Sequence, residues 1–232
     1  MSSALITDSG HPAAAAVRAR LEALGYTVFT GGDLASPEAV RASVTATGPV
    51  DVLILSEHRG CGKLLSESDG REIARAGAES LVSAFQAARH YGSLMAERGS
   101  GNIIFLSSSH ADKPAAADPA YTVAQGAMVM MMKELALHLG NLGVRVNMIQ
   151  LGPMPEEISM FDSRISPVDY DAEHKIPLHR RAVGADAAGA VAYLISDDAS
   201  FVNGAVLRVD GGQNLYYFDR TYSFRREEDL PE

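Results

Sequence analysis

Short apolar runs alternate along this chain with segments that have the length and composition of helices. The apolar runs are ALIT at 4–7, YTVFT at 26–30, VDVLILS at 50–56, NIIFLS at 102–107, VRVNMIQ at 144–150 and AVLRVD at 205–210. Between them lie predicted helices at 11–25, 36–47, 70–98, 119–140 and 184–196. This alternation is typical of a parallel sheet with helices on both faces. The sequence therefore predicts an α/β protein built on one doubly wound parallel sheet of six strands.

Composition and charge exclude several classes of protein. The chain has 232 residues, of which 47% are hydrophobic, which is enough for one well-buried domain. A net charge of -9 argues against nucleic acid or an anionic membrane as the main partner. The single cysteine, Cys61, excludes an internal disulfide, and the start MSSALITDSG has neither the basic segment nor the apolar run of a signal peptide. We expect a cytoplasmic protein whose domain spans 1–212, followed by an aromatic and charged tail at 213–232.

The most informative motif lies where the predicted strand at 102–107 meets the next helix. Ser108 and Tyr121 stand thirteen residues apart, and Gln125 follows one helical turn after the tyrosine, on the same helical face. The stretch NIIFLSSSHADKPAAADPAYTVAQGAMVMMMKELALHLG resembles the active-site segment of the short-chain dehydrogenase/reductase superfamily. The segments VNMIQLGP and IPLHRRAVGADAAGAVAYLISDDASFVNGAVLRVDGG are similar to later parts of the same superfamily, so the resemblance spans nearly the whole chain. It implies a Rossmann-like fold.

The features that bind a nicotinamide dinucleotide in this superfamily are largely replaced. Backbone amides in a glycine turn after the first strand normally approach the pyrophosphate, but the corresponding stretch, TDSGHPAAAA at 7–16, has one glycine instead of three. The redox members carry a lysine where Gln125 stands, and a glutamine has no charge to stabilise a phenolate. We therefore expect no NAD(P) cofactor, and no metal.

A non-redox branch of the superfamily, the halohydrin dehalogenases, is similar in its start, around the tyrosine and in its aromatic tail. The resemblance implies that Ser108 binds the substrate oxygen and Tyr121 takes the hydroxyl proton as a vicinal haloalcohol closes to an epoxide, a lyase reaction. Gln125 stands in place of the branch's arginine and would orient the tyrosine or the substrate. A halide ion is an implied partner beside the small-molecule substrate. The candidate pocket residues are Thr7, Pro12, Gly152, Pro153, Met154 and Phe161.

Three other functions remain open. Glu57 and His58 follow a predicted buried strand at its carboxyl end, where an acid beside an imidazole is suited to general acid and base work in an isomerase, dehydratase or cyclase. His110, two residues after Ser108, is a third acid or base candidate. The chain could instead be a catalytically silent subunit, or a divergent NAD(P)-dependent oxidoreductase.

The two longest predicted helices also indicate how the chain assembles. The helices at 70–98 and 119–140 are apolar on more than one face, and four methionines crowd the second one. In the resembled superfamily these helices pair across a two-fold axis. We therefore expect a homodimer or homotetramer.

Overall fold

A six-stranded parallel sheet organises the protein. A computed structural model describes residues 2–8, 10–56, 62–114, 118–155 and 176–215. The strands follow the order β2-β1-β3-β4-β5-β6, and each neighbouring pair is parallel. Their bounds are β1 Ser3–Asp8, β2 Thr27–Gly31, β3 Val52–Ser56, β4 Gly101–Ser108, β5 Val144–Leu151 and β6 Val206–Val209. The expected doubly wound α/β fold is thereby confirmed.

Five α-helices lie within the described residues. They are α1 Ala14–Ala23, α2 Pro37–Thr47, α3 Gly70–Arg98, α4 Pro119–Gly140 and α5 Gly184–Ile195. α3 begins at a capping box, in which the Asp69 carboxylate accepts the amides of Arg71 and Glu72, and ends at Gly99 in the left-handed conformation. These end signals are why α3 has the bounds that the sequence predicts.

The two faces of the sheet carry separate hydrophobic clusters, because successive side chains of a strand point to opposite faces. Leu5, Leu53 and Phe105 pack with α2, α3 and α4 on one face. Ile6, Ile54 and other residues of the alternate register pack with α1 and α5 on the second face. Polar residues that end a strand therefore emerge at the carboxyl edge of a sheet that is buried on both sides.

No helix of the described part of the chain is long and apolar enough to cross a membrane. The structure describes residues 213–215 of the predicted tail as a 3-10 turn, and residues 216–232 lie outside the described residues.

Candidate functional site

Ser107 and Ser108 end β4 at the carboxyl edge of the sheet, and both are buried. A short 3-10 turn follows at Ser109–Ala111. The Ser108 hydroxyl caps this turn by accepting the backbone N–H of His110 at 3.2 Å. An oxygen that accepts one bond still has its own hydrogen to donate, so Ser108 is oriented but keeps a donor.

Tyr121 lies in the first turn of α4 and is 3% exposed. Asp118 caps this helix, accepting the Tyr121 amide at 2.9 Å, and Pro119 occupies the first helical position, where no amide hydrogen is needed. The second oxygen of Asp118 accepts the amide of Gly62 at 2.6 Å, which ties the segment before α3 to the start of α4. The cap fixes where the Tyr121 side chain leaves the helix.

Gln125 is buried one turn further along α4, at 1% exposure. Its Oε1 accepts the Ser107 hydroxyl at 2.8 Å, so this side chain joins the helix to the end of β4. The contact is between neutral groups. Gln125 thus lies one helical turn after the tyrosine but brings no positive charge.

His110 contacts both hydroxyl-bearing residues of the site. Its amide holds Ser108, and its ring meets the Tyr121 ring edge-on, with centroids 6.1 Å apart and planes at 72°. Burial lowers the pKa of His110 below its ordinary value, although a contact of Nδ1 with the Lys113 carbonyl at 3.2 Å opposes this. His110 is therefore a neutral imidazole beside the tyrosine at neutral pH.

Sequence reasoning missed one polar group on this side of the sheet. Gln150 of β5 pairs in register with Ser107 and faces α4, as Met148 does. It is 1% exposed, and neither its Oε1 nor its Nε2 has a hydrogen-bond partner. A glutamine within the apolar run VRVNMIQL was the signal available in the sequence. Buried amides without partners are rare, because each unmade bond costs free energy.

Hydrogen bonds among its own residues hold the turn from β1 to α1. Gly10 is left-handed at φ +86°, and α1 starts only at Ala14, three residues later than predicted. The His11 ring, 3% exposed, accepts the Ala13 amide at Nδ1 over 3.0 Å, and the His11 carbonyl accepts the Ala14 amide at 3.0 Å. Next to this turn, the Thr7 hydroxyl accepts the amide of Ser56 at 3.0 Å and so joins the ends of β1 and β3.

The remaining sequence candidates are only partly brought together. Gly152, Pro153 and Met154 follow β5 at the same carboxyl edge, and Met154 packs in the same cluster as Ala13. Thr7 and Pro12 belong to the β1 end, with β3 and β4 between them and β5. Glu57, His58 and Phe161 lie outside the described residues, so their predicted roles stay predictions. In the parts of the chain with a described conformation, no three His, Cys, Asp or Glu residues are grouped to hold a metal.

The sequence is similar to one protein family model and to several named proteins. Residues 3–214 match the family model described as enoyl-(acyl carrier protein) reductase. The chain is 32% identical to nodulation protein G of Azospirillum brasilense, over 87% of this chain and 83% of the relative. It is 36% identical to glucose 1-dehydrogenase 2 of Bacillus subtilis, over 50% of this chain and 45% of that protein.

Solved structures with the same fold include two reductases. Levodione reductase superposes with a TM-score of 0.81 at 24% identity, covering 93% of this chain and 98% of that one. A 3-ketoacyl-(acyl-carrier-protein) reductase from Brucella melitensis, complexed with NADH, superposes with a TM-score of 0.76 at 22% identity, covering 91% and 98%.

The prediction of a non-redox halohydrin dehalogenase, and with it of a lyase, is wrong. The matched family model, described as a reductase, and the relative named glucose 1-dehydrogenase 2 point to redox chemistry instead. Gln125 and the β1–α1 turn depart locally from the superfamily's pattern, whereas the similarity extends over residues 3–214. The divergent oxidoreductase alternative is the one that the comparisons support, and the halide ion has no further support.

Proposed function

Because this chain belongs to the short-chain dehydrogenase/reductase superfamily, we propose that it is an oxidoreductase that interconverts a carbonyl group and an alcohol on a small substrate. The hydride partner that we propose is a nicotinamide dinucleotide, the class of molecule that the Brucella melitensis reductase holds. That group supplies or accepts the hydride when it is bound. The residues of this chain then handle the substrate oxygen and its proton.

The observation that carries the proposal is that His110 contacts both Ser108 and Tyr121. Its amide orients the Ser108 hydroxyl, and its ring packs against the edge of Tyr121. The Ser108 O–H is available to donate to the substrate oxygen, and Tyr121 gives a proton to that oxygen in reduction and takes one from it in oxidation. A neutral His110 does not compete with Tyr121 as a proton donor at neutral pH.

The β1–α1 turn does not fit the pyrophosphate of a dinucleotide in its described conformation. A phosphate at this position is held by backbone N–H groups at the helix start. Here Pro12 has no N–H, and the amides of Ala13 and Ala14 already donate to His11. The substrate half of the site therefore fits the proposed reaction better than the turn fits the cofactor.

The experiment is a redox assay with matched tyrosine variants. Purified protein is mixed with NADH or NADPH and a panel of small ketones and aldehydes, and the reverse reaction is run with alcohols and the oxidised nucleotides. Tyr121→Phe should abolish turnover. Tyr91→Phe is the control, because Tyr91 is also fully buried but its hydroxyl bonds Ser43 and Thr47, away from the site.

Two results decide the outcome. Turnover that Tyr121→Phe removes and Tyr91→Phe keeps supports the proposal. Wild-type protein that consumes neither reduced nor oxidised nucleotide with any substrate, at any pH at which it is folded, contradicts it.

A further inference from the structure

A cleft lies at the amino edge of the sheet, opposite the edge that carries Ser108 and Tyr121. It has a volume of about 570 Å³, which is within the range of small-molecule sites. The starts of β4 and β5 form its floor, and the residues that follow α5 form one wall. Asn102 of β4 lies about 20 Å from Ser108 along the extended strand, so the cleft is separate from the proposed reaction site.

Two polar side chains stand on the floor of this cleft. Asn102 and Arg145 are register partners on neighbouring strands, and both project from the face of the sheet that α5 covers. The strands are about 4.8 Å apart, so the two side chains leave the backbone side by side. The Asn102 Oδ1 is buried and has no hydrogen-bond partner among the described residues. A buried acceptor without a donor is costly, and a ligand N–H in the cleft would satisfy it.

Arg145 brings a positive charge whose hydrogen bonds are incomplete. Its terminal nitrogens donate to the carbonyls of Val202 and Ser196 over 3.3 and 3.4 Å, longer than the usual distance of about 2.9–3.0 Å. The described residues provide no other acceptor for its remaining N–H groups. Burial lowers the pKa of Arg145 below its ordinary value, because burial disfavours the charged form. A carboxylate in the cleft would supply both acceptors and a compensating charge.

Two exposed residues complete the cleft. Asp197 lines it and opposes the lowering of the Arg145 pKa through space, but the two side chains form no ion pair within the described part of the chain. The Asp197 carboxylate is therefore suited to an ammonium group. The Phe201 ring lies at the rim and is fully exposed, so an apolar side chain of a ligand would cover it. The cleft thus presents a positive charge, a negative charge, a neutral acceptor and an apolar surface.

We propose that this cleft binds a free α-amino acid that has an apolar side chain. The carboxylate of the amino acid accepts hydrogen bonds from Arg145. Its ammonium group donates to Asp197 and to the Asn102 Oδ1. Its side chain packs against Phe201. A zwitterion matches both charges of the cleft, whereas a simple anion would face the carboxylate and a simple amine would face the guanidinium. The inference goes beyond the proposed oxidoreductase function and does not depend on it.

Three related molecules and three variants test the site by calorimetry. L-Phenylalanine carries both charged groups, 3-phenylpropionate lacks the ammonium group, and 2-phenylethylamine lacks the carboxylate. The two analogues thus test each charge without altering the protein. Asp197→Asn removes the negative charge from the cleft. Asp198→Asn is the matched control, because Asp198 is also exposed but does not line the cleft. Asn102→Leu removes the oxygen that has no partner.

We expect L-phenylalanine to bind with a dissociation constant of about 1 mM or less. Both analogues should bind at least about tenfold more weakly, since each loses a charge-assisted hydrogen bond. Asp197→Asn and Asn102→Leu should each weaken the binding of L-phenylalanine at least about fivefold, and Asp198→Asn should keep the wild-type affinity. Asn102→Leu should also melt no lower than the wild type, because it removes a buried polar atom that no described group satisfies. A purely structural asparagine would instead lower the melting temperature.

The proposal is overturned if L-phenylalanine does not bind at concentrations up to about 10 mM, or if either analogue binds as tightly as L-phenylalanine does. It is equally overturned if Asp197→Asn and Asp198→Asn have the same affinity, or if Asn102→Leu binds as the wild type does. Turnover is measured in none of these arms, so their outcome is independent of the proposed oxidoreductase activity.

Discussion

Replacing Gln125 with lysine tests whether activity depends on a positive charge that favours the ionised form of Tyr121. Residues four apart on a helix have Cβ atoms about 5–6 Å apart. Two unit charges about 5.5 Å apart attract each other by about 3 kcal/mol at an effective dielectric constant of about 20. That energy corresponds to about two pKa units. Gln125→Lys should therefore lower the pKa of the Tyr121 phenol by about this amount.

The same substitution has a cost, which the structure also specifies. The site is 1% exposed, and burying an ammonium group there costs several kcal/mol before its contact with Tyr121 is counted. The Ser107 hydroxyl also loses its acceptor, which is worth about 1 kcal/mol. We expect a lower melting temperature together with a pH–rate profile displaced toward acid.

Gln125→Met is the matched control, since it has similar length and removes the Ser107 contact without adding charge. The assay records kcat/KM against pH for both variants. Ultraviolet difference spectra follow phenolate formation in parallel. The spectrum of the matching Tyr121→Phe protein is subtracted, so that only the signal of Tyr121 remains. The reasoning fails if the lysine variant is folded and Tyr121 ionises at the same pH as in the methionine variant.

Three further predictions concern stability and assembly. Gly143→Ala should cost at least about 3 kcal/mol of unfolding free energy by urea titration, because its Cβ would lie 2.1 Å from the Gly99 carbonyl oxygen at φ +82°. Gly99→Ala, at φ +71° with open space, should cost only about 1–2 kcal/mol, and equal losses in the two variants would contradict this. We expect a dimer or tetramer in solution that buries the outer faces of α3 and α4. On α4, Met130 is 65% and Leu137 79% exposed. Changing both to Glu should give the 24.6 kDa monomer by light scattering, and a wild type that is already monomeric refutes the pairing. Burial lowers the pKa of His110, so the unfolded chain binds its proton at a higher pH than the folded protein does, and stability should fall as pH drops below about 6.5. His110→Gln should flatten that part of the stability profile, and an unchanged slope would show that the burial is not responsible.

The helices and strands were largely predictable because their ends carry local signals. Asp69 and Gly99 bound α3, and Asp118 with Pro119 starts α4, so the predicted ranges 70–98 and 119–140 match the structure. α1 starts late for a reason that is also local but harder to foresee. The His11 ring accepts a hydrogen bond within its own turn, but the sequence shows only a histidine before a proline.

The positions of the candidate residues were predictable from the sequence, and their contacts were not. Ser108 and Tyr121 lie where their spacing implies, since one strand end and one helix start determine both positions. The role of Gln125 in orienting the tyrosine or the substrate stays a prediction. Its Oε1 accepts a hydrogen bond from Ser107, a contact that depends on how α4 packs on the sheet. The missing charge and the altered turn suggested a non-redox enzyme, but local substitutions do not outweigh similarity over residues 3–214.

The residues proposed to bind the substrate oxygen and move its proton lie in one continuous stretch of chain. Ser107 lies at the end of one strand and Gln125 lies in the helix that follows it, while the β1–α1 turn lies about a hundred residues earlier, and β3 separates β1 from β4 in the sheet. The two halves of the site are thus separable modules. Under the proposed function, a library that randomises residues 8–16 tests nucleotide preference while Ser108 and Tyr121 stay unchanged.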